Sequence, residues 1–143
     1  MKKTIFITGA TSGIGKATAE VFAKQGHRLI ICGRRKEVLD NLQIQLSNFT
    51  DVYSLVFDVR NQQEVQNAIN SLPEDWKNID VLVNNAGNAH GLEPISDANI
   101  SDWDAMMDGN VKGLLYVSQP IIKLMKANNS GHIVNISSVA ARQ

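Results

Sequence analysis

Apolar residues fall into two kinds of segment that alternate along this chain. Short runs rich in β-branched and aromatic residues occupy positions 4–8, 28–32, 52–57, 79–83 and 132–137, the composition of buried strands. Between them, apolar residues recur at helical spacing over 16–24, from 34 to about 47, and over 62–72. Val38, Leu39, Leu42 and Leu46 mark the second of these helices; Val65, Ala68, Ile69 and Leu72 mark the third. Gly26 and Pro73 close the first and third. A polar loop at 88–101, broken by Gly91 and Pro94, leads into a long helix from 103 to about 127. That helix is expected in two pieces meeting near Gly109, with a bend near Pro120. Strands alternating with helices in this way imply right-handed βαβ crossovers and a parallel sheet. The expected fold is a doubly wound α/β domain.

Ligands to such a sheet sit at the carboxyl ends of its strands. The first strand turns through Gly9, Gly13 and Gly15 into a helix. Backbone N–H groups at that turn, reinforced by the helix dipole, suit a phosphate. Gly9, Thr11, Ser12, Gly13, Ile14 and Gly15 are the candidate cradle. The Gly-x-x-x-Gly-x-Gly spacing lacks the Gly-Lys-Ser/Thr ending of a P-loop, which disfavours a nucleoside triphosphatase. After the second strand come Arg34 and Arg35, where an NAD site places an acid for the ribose 2′-hydroxyl. A guanidinium there matches the 2′-phosphate of NADP; the bland alternative is that the pair opens a solvated helix.

Asp58 and Val59 follow the third strand. The carboxylate can accept from an adenine amino group while the valine packs on the ring, or Asp58 can cap the next helix. After the fourth strand, Asn84 leads into Asn85, Ala86 and Gly87. This small polar turn lets a flat ring or a ribose approach the backbone, and the Asn85 amide can tie neighbouring strand ends together. Ser137 and Ser138 end the fifth strand. With no histidine placed to activate it, a serine here polarises a substrate oxygen rather than attacking, so a Ser-His-Asp hydrolase is disfavoured.

The totals narrow the classes further. The 143 residues, 43% of them hydrophobic, suit one dinucleotide-binding domain over 1–143. Fourteen basic and fourteen acidic residues balance, so neither nucleic acid nor an anionic membrane is an expected partner. Cys32 has no second cysteine to pair with, and the three histidines lack metal-ligand spacing. No metal is expected. The start of the chain runs straight into a strand, and no apolar run reaches transmembrane length, so a cytoplasmic location is expected.

Four motifs taken together resemble the short-chain dehydrogenase/reductase family: Thr8-Gly9-x-x-x-Gly13-x-Gly15, Asn84-Asn85-Ala86-Gly87, a helical Asn110, and Ile136-Ser137-Ser138. The resemblance covers essentially the whole chain. It implies a Rossmann-type sheet in strand order 3-2-1-4-5-6-7, of which 3-2-1-4-5 is present here. It also implies an NAD(P) cofactor and hydride transfer between nicotinamide and an alcohol or carbonyl. Arg34 and Arg35 make NADP the expected form. Of the family's catalytic asparagine, serine, tyrosine and lysine, the first two correspond to Asn110 and Ser138.

Within the family the chain is most similar to NADP-dependent 3-hydroxy acid dehydrogenases acting on serine, allo-threonine and related acids. The likeness lies in Cys32-Gly33-Arg34-Arg35, in Leu72-Pro73-x-x-Trp76-x-Asn78-Ile79-Asp80, and in the stretch from Asn85 to Pro94. 3-Oxoacyl-carrier-protein reductases share the core motifs and remain the rival substrate class. An adenosyl-methionine methyltransferase shares only the parallel-sheet logic. The long helix, apolar on more than one face through Leu114, Leu115, Val117, Ile121, Ile122, Leu124 and Met125, corresponds to one that pairs with its copy in the family's tetramers, so a homotetramer is expected.

The family's Tyr-x-x-x-Lys pair has no match. The only tyrosines are Tyr53 and Tyr116, neither followed by a lysine four residues on. Without that acid/base the 143 residues by themselves are expected to be inactive. Two readings follow: the N-terminal part of a longer dehydrogenase, or a short protein that binds the cofactor without catalysis. The first is favoured, because the sequence breaks off after a strand of buried type whose outer edge would be unpaired.

Overall fold

The computed structural model describes residues 1–142. Five strands, β1 (Thr4–Ile7), β2 (Arg28–Gly33), β3 (Val52–Val56), β4 (Val81–Asn84) and β5 (His132–Asn135), form one sheet. All neighbours are parallel and the order is β3-β2-β1-β4-β5. Period-two alternation divides the core between two faces. Ile5, Ile7, Leu29 and Ile31 point to one side, where they meet Ala19 and Ala23 of α1 (Gly13–Lys24) and Leu39, Leu42 and Leu46 of α2 (Lys36–Leu46). Phe6, Ile30, Cys32 and Leu82 point to the other, against Val65 and Ile69 of α3 (Gln62–Asn70) and Val117, Ile121 and Met125 of α5 (Gly113–Ala127). The doubly wound expectation therefore holds.

Local departures have physical reasons. The first helix starts at Gly13 rather than at residue 16: Ser12 is still extended, Gly13 turns the chain at φ +54°, and the Lys16 N–H closes the first turn on the Ser12 carbonyl at 3.2 Å. The second starts at Lys36, not Arg34, since Arg35 is extended and only flanks the helix. Asn61, not Asp58, caps α3: its side chain accepts from the Glu64 N–H at 3.2 Å. Asp58 meets the start of α3 only through its backbone, its carbonyl accepting from the Asn61 N–H at 3.0 Å. A 3₁₀ turn at Glu74–Trp76 precedes β4.

The long helix is interrupted as expected near Gly109. It begins as α4 (Ile100–Met106), widens into a π-helical stretch over Met107–Lys112, and resumes as α5. Pro120 lies inside α5, where it deprives the Tyr116 carbonyl of its helical donor. β5 departs most from its pattern. Although its sequence reads as buried, His132, Ile133 and Asn135 are exposed and only Val134 packs, against the α1–α2 side. Among the described residues, no strand pairs with its outer edge.

Candidate functional site

The carboxyl ends of β1, β2, β3 and β4 open into one cleft of about 510 Å³. Its floor is a hydrogen-bonded knot between β1 and β4. The Thr8 hydroxyl, buried at 2% exposure, accepts from the backbone N–H groups of Asn85 at 3.0 Å and Ala86 at 2.9 Å. It also donates to the Val83 carbonyl at 3.4 Å. In return the Asn85 amide donates to the Thr8 and Gly9 carbonyls at 3.2 and 3.0 Å. The strand-tying role expected of Asn85 is thus present.

Gly9 has φ +61°, and a Cβ there would come within 2.9 Å of Asn85 Nδ2 and 3.0 Å of Ala86 Cα. Both conformation and crowding therefore require glycine. Gly15 is buried beneath the turn; a Cβ would overlap the Gly9 carbonyl and the Asn85 amide. It is a packing glycine that seats α1 against the turn, and it does not line the cleft. As the first residues of α1, Gly13, Ile14 and Gly15 have N–H groups without an intrahelical acceptor, at the positive end of the helix dipole.

One wall carries charge. Arg34 and Arg35 stand at the end of β2, and Arg35 donates to the Thr11 hydroxyl at 3.3 Å. Arg34 lies 4.0 Å from Asp58 Oδ2. Arg60 clasps Asp58: its Nε donates to Oδ1 at 3.0 Å and to Oδ2 at 3.1 Å, and a terminal nitrogen reaches Oδ2 at 2.7 Å. The Arg60 backbone N–H adds a contact to Oδ1 at 2.9 Å. The Arg60 side-chain hydrogen bonds hold the Asp58 carboxyl below its usual range, against a smaller opposing effect of burial. Burial pushes the Cys32 thiol well up, so beside the cleft it stays protonated and unreactive.

Gly9, Thr11, Ser12, Gly13, Ile14, Arg34, Arg35, Asp58, Val59, Asn85, Ala86 and Gly87 all line this cleft. The proposed catalytic pair does not. Asn110 sits in the π-helical stretch, with its side chain locked onto the backbone of Asn88: Nδ2 donates to the carbonyl at 2.7 Å and Oδ1 accepts from the N–H at 2.9 Å. Ser138 is exposed beyond β5, and its hydroxyl accepts from the Ala140 N–H at 3.2 Å. Thr8, Arg60, Asn88 and Gly109 also line the cleft, and sequence reasoning had not singled them out as site residues. Two of them carried a readable sign: Thr8 opens the glycine motif, and Arg60 is a cation two residues beyond Asp58. The buried Asn88 Oδ1 has no hydrogen-bond partner among the described residues.

Residues 3–143 match the model of the short chain dehydrogenase family. The chain belongs to that family. Among its relatives is the NADP-dependent 3-hydroxy acid dehydrogenase YdfG of Escherichia coli K12, 43% identical over 136 residues, which are 95% of this chain and 54% of that protein. Sulfoacetaldehyde reductase 2 of Chromohalobacter salexigens is 42% identical over 143 residues, covering 99% of this chain and 57% of the relative. A closed serine dehydrogenase complexed with NADP+ superposes with a TM-score of 0.91 at 42% identity, covering 98% of this chain and 56% of the other. The chain therefore spans about half the length of the dehydrogenases it matches. No helix among the described residues is long and apolar enough to cross a membrane.

Proposed function

We propose that residues 1–143 are the cofactor-binding part of a longer NADP-dependent dehydrogenase acting on a short 3-hydroxy acid such as serine or allo-threonine. The observation that carries this reading is the cationic wall at the end of β2, where Arg34 and Arg35 stand in place of an acid. Several features fit NADP. The cleft has the volume of a small-molecule site, and the turn brings unpaired N–H groups to it. The close approach at Gly9 excludes a side chain, and Asn88 Oδ1 awaits a partner. When bound, the nicotinamide supplies or accepts the hydride.

The chain's own residues bind and orient. The N–H groups at the start of α1 take the pyrophosphate, and Arg34, assisted by Arg35, takes the 2′-phosphate. Asp58 accepts from the adenine amino group while Val59 packs on the ring. Ala86 and Gly87 admit the ribose. Asn110 fixes the Asn88 backbone, and so the wall beneath the substrate. The Ser138 hydroxyl, released from Ala140, donates to the substrate oxygen. The proton is exchanged by a tyrosine outside this stretch.

The protein works in the cytoplasm as a homotetramer. Support for assembly comes from a stripe at spacing of four along the long helix: Trp103, Met107, Val111 and Leu115, all exposed, with Ile122 beyond. A stripe of this kind is usual at subunit interfaces.

The test is the full-length protein with NADP+ and L-serine, allo-threonine or 3-hydroxybutyrate, following NADPH absorbance. Reduction of the cofactor with at least one hydroxy acid is expected. Turnover confined to NADPH with sulfoacetaldehyde would favour a second reading, motivated by the similarly identical sulfoacetaldehyde reductase. NADPH binding without any turnover would favour a non-catalytic binding protein.

A further inference from the structure

Asp58 creates an electrostatic problem for the site as proposed. Its carboxylate lies 4.0 Å from Arg34, so an unpaired anion there would hold the very guanidinium that must meet a phosphate, and would repel that phosphate as well. The structure contains an answer. Three contacts from the Arg60 side chain and one from its backbone engage both Asp58 oxygens, whereas Arg34 reaches the carboxylate only at the limit of an ion pair. The Arg60 guanidinium is thus committed to Asp58, and Arg34, with 63% of its side chain exposed, is not. The other acids nearby do not alter this. A Glu64 oxygen is taken by the Asp58 N–H at 3.1 Å, and Asp108 pairs with Lys112 at 2.9 Å.

We propose that Arg60 is a positioning residue for cofactor choice: by engaging both oxygens of Asp58 it leaves Arg34 free for a 2′-phosphate and cancels a carboxylate that would oppose it. Arg60 acts through Asp58 and need not touch the cofactor. This inference rests on the NADP reading of the cleft. It adds that selectivity is set by the Arg34–Asp58–Arg60 group, with the phosphate-facing arginine only one part of it.

Two probes that differ only in the 2′-phosphate isolate the effect: adenosine 2′,5′-bisphosphate and adenosine 5′-monophosphate. Calorimetric titration of the full-length protein gives the ratio of their dissociation constants. The wild type is expected to favour the bisphosphate by at least about tenfold. Arg60→Gln should cut that ratio by about fivefold, the scale of a solvent-screened charge. Asp58→Asn should weaken both probes alike, because a neutral amide oxygen accepts from the adenine amino group more weakly than a carboxylate. Arg60→Gln combined with Asp58→Asn should restore the ratio, because no carboxylate is left to neutralise.

Restoration in the double variant cannot come from a purely structural defect at Arg60. An unchanged ratio in Arg60→Gln overturns the inference. A loss that Asp58→Asn fails to rescue also overturns it, since Arg60 would then act directly on the phosphate. A wild type without preference overturns the NADP reading itself, an outcome distinct from either.

Discussion

Thr8→Val replaces a hydroxyl with a methyl of nearly the same shape, so it leaves no cavity and isolates the hydrogen bonds. The wild-type oxygen serves the N–H groups of Asn85 and Ala86 at 3.0 and 2.9 Å from a position with 2% exposure. The Val83 carbonyl loses little, because it also accepts from the Thr8 backbone N–H at 3.1 Å. Two backbone donors are left without a partner. Each such loss costs roughly 1–3 kcal/mol. Asn85 and Ala86 are only half-buried, so water recovers part of this and the low end applies, about 2 kcal/mol in total.

At about 3 °C per kcal/mol for a protein of this size, the melting temperature should fall by about 6 °C. Thr8→Ser keeps the hydroxyl and removes one buried methyl, at about 0.8 kcal/mol. Urea unfolding at fixed protein concentration should rank wild type above Ser and Ser above Val, with NADPH affinity falling in the same order as the 85–87 turn loosens. A Val variant as stable as the Ser variant would refute the reasoning, because the hydroxyl would then not be what joins β1 to β4.

Three further outcomes follow from the same geometry. Gly15→Ala should destabilise by about 1–3 kcal/mol and weaken NADPH binding, since the added methyl pushes α1 away from Gly9 and Asn85; equal melting curves and equal affinity would contradict this. Asn110→Ala frees the Asn88 backbone from two contacts and should cost about 1 kcal/mol, with faster amide exchange confined to the loop before α4. Asp58 is held below its ordinary value of 3.8 by Arg60, so its contribution to stability is complete above that value and is lost as pH falls through the lower folded-state value. Asp58→Asn should therefore flatten the acid limb of the stability profile below about pH 4 and leave its shape near neutrality unchanged.

The sheet could be read from the chain because the three inner strands, β2, β1 and β4, are covered on both faces, which makes their apolar runs continuous. β5 shows the limit of that logic: its residues follow the same pattern, yet three of its four positions are exposed. Helix starts were legible only to within two or three residues. Extended backbone at Ser12 and Arg35 delays or advances a helix without changing its apolar face. Gly109 signalled a break in the long helix, but whether the break is a kink or a π-helical widening depends on backbone hydrogen bonds that no side-chain pattern encodes.

The candidate cleft was legible wherever strand-end logic applied, from the glycine turn to Ala86 and Gly87. It was not legible where the partner lies far away in sequence. Thr8 serves residues 77 and 78 positions away, and Asn110 holds one 22 positions away. The sequence pointed to Asp58 as the cap of α3, whereas Asn61 holds that place. Asp58 stands three residues too early to reach the helix N–H groups; its carboxylate meets Arg60, and the Asn61 side chain meets the Glu64 N–H.

The central claim is that the arginine at the end of β2 makes this cleft an NADP site. Fluorescence titration of NADPH and NADH against the full-length protein and its Arg34→Ala variant tests it directly. The wild type should prefer NADPH, and the variant should lose about 1.5–3 kcal/mol toward NADPH alone, the scale of a charge-assisted hydrogen bond. Equal affinity of the wild type for both cofactors, or a preference that survives Arg34→Ala, would contradict it.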